Sequence, residues 1–289
     1  MTTLTQNLLA LLHLEQKSEH YFIGQSQTHF GTRVYGGQLL AQSIMAAANL
    51  TAKSLHSLHA YFLYPGDATA PILYHTEPLR DSPSFSTIQV TALQFGRQIY
   101  KAMLSFMQPE DGLEYQTTAP EYPAAEQLQT EQCYKQQLAQ HIPAQFRDEF
   151  MQAFAIESRP ITLSNPFQPQ VEDALYCEYL KTHEPLSQYL DSNKDVPAIH
   201  QAVAAYFSDY NLYTSAFKPH GLSYLSEQII HASLDHVMYF HRPFRADIST
   251  LYEMRTTCTA QSRGLNFGRM WQNGKLVCSS IQENLMRQI

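Results

Sequence analysis

The sequence has few charged residues and no excess of basic ones. Asp, Glu, Lys and Arg together make up 16% of its 289 residues, and the formal net charge is −7. A nucleic-acid-binding surface needs clustered Lys and Arg to neutralise phosphates, so we expect no nucleic-acid partner. The chain also lacks any run of about 18 apolar residues, the length needed to cross a bilayer. We therefore expect no membrane insertion.

Cysteine is scarce and is not arranged for metal or disulfide chemistry. The four cysteines, Cys133, Cys177, Cys258 and Cys278, form no C-x-x-C pair, which favours free thiols in a reducing compartment. No H-E-x-x-H motif occurs, so no metal site is expected. The N-terminal segment lacks the basic start of a signal peptide, and the C-terminus is not a peroxisomal address. These absences predict a cytoplasmic protein.

Apolar residues make up 44% of the chain, enough for a substantial core. Their pattern predicts a strand at Tyr21–His29, a helix with a face of small residues that begins at Gly36-Gly37, and then several strands. The same order returns later, with a second helix predicted for Val196–Phe217. One helix with several antiparallel strands, twice, predicts an α+β fold in which a curved antiparallel sheet wraps each helix.

Residues 109–145 divide the two repeats. They are rich in Gln, Glu, Pro and Ala and have helical spacing, which indicates a connector with a helix rather than a core element. We therefore predict an N-terminal unit at 1–115, a connector at 116–150 and a C-terminal unit at 151–289.

The last two strands are joined at Asn273-Gly274, a strong signal for a two-residue hairpin turn. Alternation along the final strand places Gln282 on the same face as Cys278 and Ser280. This face is polar but carries no Lys or Arg. Taken alone, the strand favours an edge or half-exposed position. The alternative is a site wall in which Gln282 points at a ligand.

Asp209 follows the apolar stripe of the second predicted helix. Tyr206 and Tyr213 lie about one turn to either side of it. An aspartate at the edge of a buried stripe has two interpretations of similar weight. It is an ordinary solvated residue, or it is a partly desolvated carboxylate whose pKa is raised and which suits a general base.

Several strings resemble the acyl-CoA thioesterase II (TesB-type) family. They are VYGGQLLAQ, HSLHAYFLYPGD, LRDSPSF, SDYNL, LDHVMYFHRPF, SRG and IQENLMR, and they run nearly from end to end in order. The resemblance implies a double hotdog fold and hydrolysis of acyl-CoA to a free fatty acid and coenzyme A. It implies no cofactor, since coenzyme A is part of the substrate. The family's catalytic trio corresponds by motif to Asp209, Ser233 and Gln282.

Two positions depart from that family's pattern. Ser233 stands where the family usually has Thr, which keeps the hydroxyl but loses the β-branch that stiffens the side chain. Ile88 stands where an Arg usually follows the loop that contains Arg80 and Asp81. This second departure affects the geometry of the loop and any contact that the loop makes with an anion.

Three further residues are candidates for substrate binding: Gly37, His56 and Arg263. The Gly36-Gly37 pair lets the helix start close to the sheet, and its N–H groups are also suited to an anion or the thioester oxygen. The other histidines, including His236, are expected to be structural, because neighbours such as Asp235 and His236 point to opposite faces of a strand.

The phosphates of coenzyme A require basic residues, and the sequence does not rank its candidates. Besides Arg263, these are Arg242, Arg245 and Lys275. The first repeat has no aspartate that corresponds to Asp209, so we expect it to be catalytically silent but needed for packing. By analogy with hotdog proteins, we also expect a homo-oligomer.

Three alternative functions remain open at this point. A serine hydrolase of the α/β type is disfavoured because GQSQT and GLSYL, the strings nearest to G-x-S-x-G, lack the closing Gly. A hotdog-fold enoyl-CoA hydratase shares the predicted fold. A non-catalytic acyl-CoA binding module needs no general base, so Asp209, Ser233 and Gln282 together argue against it.

Overall fold

A computed structural model describes residues 2–27, 31–142, 144–191 and 196–289. The helices are α1 (Leu4–Leu12), α2 (Gly36–Ala48), α3 (Glu131–Leu138), α4 (Ala144–Met151), α5 (Pro197–Ser208) and α6 (Thr214–Phe217). The strands are β1 (Glu15–Ser18), β2 (Tyr21–Gly24), β3 (Ser54–Phe62), β4 (Ile72–Asp81), β5 (Phe85–Gln94), β6 (Arg97–Met107), β7 (Ile156–Pro160), β8 (Leu175–Thr182), β9 (Ile229–Ser233), β10 (Asp235–Phe240), β11 (Thr250–Ala260), β12 (Arg263–Gln272) and β13 (Lys275–Gln288). The strand predicted at Tyr21–His29 ends at Gly24, and residues 28 and 29 lie outside the described part.

The strands of the described residues form one antiparallel sheet. Its order is β1-β2-β4-β5-β6-β3-β10-β13-β12-β11-β8-β7, with β9 paired to β13. The two halves of the chain meet where β3 pairs with β10, for example at His59 opposite Val237. The predicted turn at Asn273 and Gly274 is present between β12 and β13, and both residues have the positive φ that a type I′ turn requires. The antiparallel sheet and the repeated element order are therefore as predicted.

Helices α2 and α5 pack against each other as well as against the sheet. Both helices have small residues that are buried, among them Ala41 and Ala47 of α2 and Ala202 and Ala205 of α5. Small side chains let two helix axes come close while the interior stays tightly packed. The sequence predicted a helix for each half but not this direct contact between them.

The helix predicted for Val196–Phe217 is interrupted, which corrects the placement of Asp209. Helix α5 ends at Ser208, Asp209 is its C-cap residue, and α6 begins at Thr214. Asn211 adopts a left-handed conformation with φ of 61°, which Asn tolerates better than most residues. Its side-chain amide lies 3.3 Å from each carboxyl oxygen of Glu178 on β8. This contact holds the chain in a turn directly after Asp209.

Two tyrosines bind the last carbonyl groups of α5 from opposite sides. The Tyr35 hydroxyl donates to the carbonyl oxygen of Tyr206 at 2.8 Å. The Tyr252 hydroxyl, on β11, donates to the carbonyl oxygen of Ser208, also at 2.8 Å. The final carbonyls of a helix have no partner within the helix, so these bonds fix its end. They also fix the direction in which Asp209 leaves it.

The segment between the halves packs more closely than a plain connector. Its α3 contains Lys135, which is 6% exposed and pairs with Glu131 at 3.2 Å. Phe150, in α4, is 7% exposed, and Lys135 Nζ lies 5.5 Å from the centroid of its ring. The segment therefore belongs in part to the core, which the sequence analysis did not expect. The boundaries 1–115, 116–150 and 151–289 stay a prediction.

The described residues also bear on the expectations drawn from absences. All four cysteines are free thiols, as predicted. No helix in the described ranges is both long enough and apolar enough to span a bilayer. Within the same ranges, no group of three or more His, Cys, Asp or Glu side chains is arranged to hold a metal ion.

We predict that Glu178 makes stability depend on pH. Burial raises its pKa to about 8, although hydrogen bonds from Ser158 and Asn211 act against the shift. The folded protein therefore keeps a proton that the unfolded chain releases near its ordinary pKa of about 4.3. This contribution to stability is full below that value and is lost as the pH rises to about 8 and beyond. The melting temperature of Glu178→Gln should consequently fall less between pH 5 and pH 9 than that of the wild type.

Thermal unfolding across that range, monitored by circular dichroism, measures this difference. Glu77→Gln is the matched control, because Glu77 is an exposed strand residue that bonds Gln89. Equal pH dependence of the wild type and Glu178→Gln would contradict the assignment.

Candidate active site

A cavity of about 600 Å³ lies where the start of α2, the end of α5 and the end of β9 meet. It is the place where the two halves of the chain face each other. Its wall includes Asp209 and Ser233 from the C-terminal half. The other lining residues include Gly31, Arg33, Val34, Tyr35, Gly36, Leu39, Phe62, Leu63, Tyr64, Glu131, Lys135, Phe150, Tyr210, Tyr213, His231 and Asn284. The wall is mainly aromatic and aliphatic, and its charged side chains are Asp209, Arg33, Glu131 and Lys135 among the described residues.

The Asp209 carboxylate is held by both halves of the chain. Its Oδ2 accepts a hydrogen bond of 3.0 Å from the backbone N–H of Gly37, in the first turn of α2. Its Oδ1 accepts one of 3.2 Å from the hydroxyl of Ser233. Asp209 is only 5% exposed, yet it lines the cavity. The positive end of the α2 dipole adds to these bonds in stabilising the negative charge.

Ser233 and Gln282 come together because of how β9 and β13 pair. The register places Ser233 opposite Asn284, and Gln282 lies two residues along the same inward face of β13. The Gln282 Nε2 donates to Ser233 Oγ at 2.5 Å. Gln282 is fully buried, and β13 runs between β10 and β12. The interpretation of β13 as an edge or half-exposed strand is therefore wrong.

The pKa of Asp209 is raised above its ordinary value because the carboxyl is buried. The hydrogen bonds from Ser233, Gly37 and Gln282 act in the opposite direction and limit the increase. A carboxylate of this kind is more basic than a solvated one but still has donors that hold its ionised form. This combination suits a general base that must take a proton from water.

His236 belongs to the same cluster, although the sequence analysis treated it as structural. It does point away from Asp235, as expected, since it is fully buried while Asp235 is half-buried. Its Nδ1 lies 2.7 Å from Gln282 Oε1 and its Nε2 lies 2.9 Å from Ser208 Oγ. The signal that could have found it is the pairing of β10 with β13, which sets Val237 opposite Ile281 and so brings His236 beside Gln282.

The Gly36-Gly37 pair is required by close approach to the end of α5 and also to the sheet, because a Cβ on Gly36 would lie 3.0 Å from the ring of Phe62, the last residue of β3. A Cβ on Gly37 would lie 2.3 Å from the carbonyl oxygen of Tyr206, and one on Gly36 would lie 2.6 Å from Asp209 Oδ2. Real Cβ atoms do not approach other atoms so closely. The anion that meets the Gly37 N–H is the protein's own Asp209 carboxylate and not the thioester oxygen.

The structure does not bring His56 and Arg263 to this cavity. His56, on β3, bonds Ser105 Oγ at 2.8 Å. Arg263, on β12, pairs with Glu283 at 2.8 Å. Neither is among the described residues that line the cavity, so its geometry gives their proposed role in binding substrate no support.

The other basic candidates are also outside the cavity wall. Arg242 donates to the carbonyl oxygen of Leu276, and Arg245 pairs with Asp247 at 2.9 Å. Lys275 is exposed at the hairpin turn. Among the described residues, the arginine and lysine side chains that line the cavity are Arg33 and Lys135, and neither was a candidate from the sequence. Both lie in segments whose position relative to Asp209 depends on contacts between the two halves.

The position of Ile88 explains how the chain accommodates its second departure. Ile88 is 2% exposed and belongs to the main core, so an apolar side chain fits there. In the neighbouring loop, Asp81 bonds Lys53 at 2.8 Å. Arg80 lies over the ring of Phe85, 6.0 Å from its centroid. The loop is held by contacts within the first half.

Comparison with known proteins agrees with this architecture. Residues 147–285 match the family model described as acyl-CoA thioesterase, and residues 25–107 match the one described as acyl-CoA thioesterase N-terminal domain. The chain is 35% identical to acyl-CoA thioesterase 2 of Haemophilus influenzae over 290 aligned residues, which cover 99% of both chains.

Solved structures give the same result for the fold. A TesB protein of Mycobacterium avium subspecies paratuberculosis is 27% identical, with a TM-score of 0.77 over 97% of this chain and 98% of the other. A hot dog fold protein of Alicyclobacillus acidocaldarius is 18% identical and superposes over 100% of both chains with a TM-score of 0.76. The fold is thus of the hotdog class, and the enzyme class is thioester hydrolase. The chain belongs to the acyl-CoA thioesterase family, as the sequence motifs predicted.

We predict that Gly36→Ala lowers kcat roughly 10- to 100-fold, because displacing a reacting group by a fraction of an ångström costs activity on that scale. The new Cβ would occupy space within 2.6 Å of Asp209 Oδ2, so the carboxylate must move. The melting temperature should change little, since Ala is favoured over Gly inside a helix. Thioester hydrolysis and thermal unfolding measure the two effects.

Gly112→Ala is the matched control, because a Cβ there meets no atom within 4 Å. Unchanged kcat in Gly36→Ala would show that the carboxylate tolerates the displacement.

Proposed function

We propose that the chain hydrolyses fatty acyl-CoA to free fatty acid and coenzyme A, with Asp209 as the general base. The observation that carries this proposal is the buried Asp209 carboxylate, which faces the cavity and is held at both oxygens. Its raised pKa supports the same role. The mechanism needs no cofactor, because the base and the water supply the chemistry.

The proposed reaction is direct attack by water on the thioester carbonyl carbon. Asp209 takes one proton from the water as its oxygen forms the new C–O bond. The tetrahedral intermediate then collapses, the C–S bond breaks, and the departing thiolate takes the proton back from Asp209. Ser233 lines the cavity beside Asp209 and orients the water through its hydroxyl. Positioning of this kind converts an encounter with water into an intramolecular step.

Gln282 acts from behind Ser233 in this proposal. It is fully buried and is absent from the cavity wall among the described residues. Its Nε2 donates to Ser233 Oγ, and the same amide helps to hold the ionised form of Asp209. We therefore propose that Gln282 positions Ser233 and does not bind the oxyanion. The first turn of α2, where Gly36 forms part of the wall, is the candidate for oxyanion stabilisation.

We infer that the coenzyme A phosphates approach the cavity near Arg33. Arg33 lines the cavity and is exposed, as expected of a residue that meets a hydrated phosphate at the entrance. Lys135, the other basic residue of the wall, is buried and paired with Glu131. The aromatic and aliphatic side chains deeper in the wall suit the acyl chain.

We also propose a double hotdog arrangement and a homo-oligomer. Support for the first comes from the two family models, which match one half each. Support for the second comes from the outer face of the sheet at the β6-β3-β10 junction. Tyr61, Met103 and Tyr239 are each between 36% and 63% exposed there, an apolar group of the kind that commonly marks an interaction surface.

We predict that Asp209→Asn lowers kcat by about 100-fold or more, the scale expected on loss of a general base. The variant should still fold, because an Asn oxygen can accept from the Gly37 N–H while its amide donates to Ser233. The melting temperature at pH 7 should not decrease. The raised pKa of Asp209 means that its stabilising contribution is lost as the pH rises above its pKa.

The measurement is thiol release from a panel of acyl-CoAs, from short to long chains, with wild type beside the variant. The wild-type kcat/KM should fall as the pH falls through the pKa of Asp209, at a pH above the ordinary value of about 3.9. Equal thiol release by both proteins would remove Asp209 from the mechanism. Loss of enoyl absorbance without thiol release would favour the hydratase alternative, and neither signal would favour a binding module.

We predict that Ser233→Ala lowers kcat roughly 10- to 100-fold, because Asp209 Oδ1 and the attacking water lose a hydroxyl partner. Ser233→Thr should keep wild-type activity or exceed it, since it retains the hydroxyl and its β-branch restricts the side chain. Steady-state kcat and KM of both variants measure this. If Ser233→Thr is as slow as Ser233→Ala, a hydroxyl at position 233 is not sufficient for activity, which would contradict the prediction.

A further inference from the structure

The buried hydrogen bonds around Gln282 form a chain that ends at the Asp209 carboxylate. Along it, Ser208 contacts His236, His236 contacts Gln282, and Gln282 contacts Ser233, which donates to Asp209. Ser208, His236 and Gln282 are all fully buried. Water therefore does not compete for these groups, and each hydrogen on the chain constrains the next.

The direction of each bond follows from the Asp209 end. An ionised carboxylate only accepts, so the single hydrogen of Ser233 is committed to Asp209 Oδ1. Ser233 Oγ then accepts from Gln282, which must present Nε2 to it. The other end of the amide, Oε1, consequently faces His236 Nδ1 at 2.7 Å. Since Oε1 only accepts, Nδ1 must carry the proton.

The opposite side of the imidazole completes the assignment. Burial lowers the pKa of His236, so the ring is neutral and its Nε2 is an acceptor once Nδ1 is protonated. The Ser208 hydroxyl, 2.9 Å from Nε2, is the donor there. The carbonyl oxygen of Ala205 lies 2.9 Å from Ser208 Oγ and is a second acceptor for the Ser208 hydroxyl hydrogen.

The other tautomer reverses the donor and acceptor roles along these hydrogen bonds. With the proton on Nε2, His236 donates to Ser208, which turns its hydrogen to Ala205. His236 Nδ1 then accepts, so the Gln282 amide must rotate and present Oε1 to Ser233. The Ser233 hydrogen follows that oxygen, and Asp209 Oδ1 loses it. The position of one proton on the His236 ring therefore determines whether the Ser233 hydroxyl donates to the Asp209 carboxylate.

We propose that His236 is a positioning residue for the reaction, present as its Nδ1–H tautomer, with Nδ1 donating to Gln282 and Nε2 accepting from Ser208. In that tautomer it sets the orientation of the Gln282 amide and thereby directs the Ser233 hydroxyl to Asp209. This inference rests on the proposed function for the identity of the reacting residues. It assigns to His236 no contact with substrate.

The first test reads the tautomer directly and does not depend on activity. The wild type is labelled with ¹⁵N-histidine, and the ring nitrogens of its 13 histidines are observed by NMR. The signals missing from His236→Asn identify His236. A protonated Nδ1 and an unprotonated Nε2 are expected at pH 7. A protonated Nε2 overturns the proposal.

The second test compares steady-state kinetics of His236→Leu and His236→Asn. His236→Leu removes the donor to Gln282 and should lower kcat between about 10- and 100-fold, the cost expected of a misplaced reacting group. KM should stay within about twofold, because His236 does not line the cavity. His236→Asn places an amide N–H near the position of Nδ1 and should recover most of the lost kcat.

His200→Leu is the matched control for losing a buried imidazole. His200 lies on α5, and its Nδ1 accepts from the Ala246 N–H. This bond is outside the hydrogen-bond network that ends at Asp209. It should lower the melting temperature without the same loss of kcat. An equal loss of kcat in both Leu variants would mean that His236 acts only through stability. If His236→Leu fails to fold, the proposal is tested by the tautomer of the wild type and by the kcat of His236→Asn.

A double-mutant cycle tests whether His236 acts through Gln282. In a Gln282→Ala background, His236→Leu should cause no further loss of kcat, since residues that share one network are not additive. A full additional loss overturns the proposal. If Gln282→Ala alone leaves kcat unchanged, the Gln282 amide does not direct Ser233 and the proposal is overturned, while the role of Asp209 as general base is tested separately by Asp209→Asn.

Discussion

The contact between the Gly37 N–H and the Asp209 carboxylate is the interaction on which the site depends. It joins the first turn of α2 to the residue that ends α5, so the positive end of one helix meets a negative charge at the end of the other. A buried carboxylate without such donors costs several kcal/mol and takes up a proton instead. With them it stays available as a base, and the two glycines are what permit the approach.

The C-terminal half supplies Asp209 and Ser233, the proposed reacting groups, but it does not supply the site alone. Tyr35 and Gly37 of the first half bind the end of α5 and the carboxylate beside it. Phe62 and other residues of the first half form much of the cavity wall. The expectation that this half is needed for packing is too narrow, because it also sets the electrostatics of Asp209.

Much of the site could be predicted from the sequence because its strongest signals are local. The turn at Asn273-Gly274 and the alternation along β13 placed Gln282 on the correct face. The family motifs then singled out Asp209 and Ser233, and the structure places the three side chains together.

The parts that the sequence did not reveal depend on contacts between distant segments. The end of α5 at Ser208 follows from the turn that Asn211 and Glu178 hold, and no helix propensity reports that pair. His236 was compared only with its neighbour Asp235, because the register of β10 against β13 is unknown until the sheet is assembled. Periodicity places a residue on a face, but it does not name the residue opposite.

In the proposed reaction, the composite wall of the cavity separates the proton-transfer groups from part of the surface that meets the acyl chain. The carboxylate and its hydroxyl partner come from the C-terminal half, while Leu63, Tyr64 and Phe150 belong to the first half and the connecting segment. Exchanges at those positions alter the shape available to an acyl chain without touching the proton-transfer groups. A duplicated fold of this kind lets the range of substrates diversify in one copy while the reaction itself is preserved by the other.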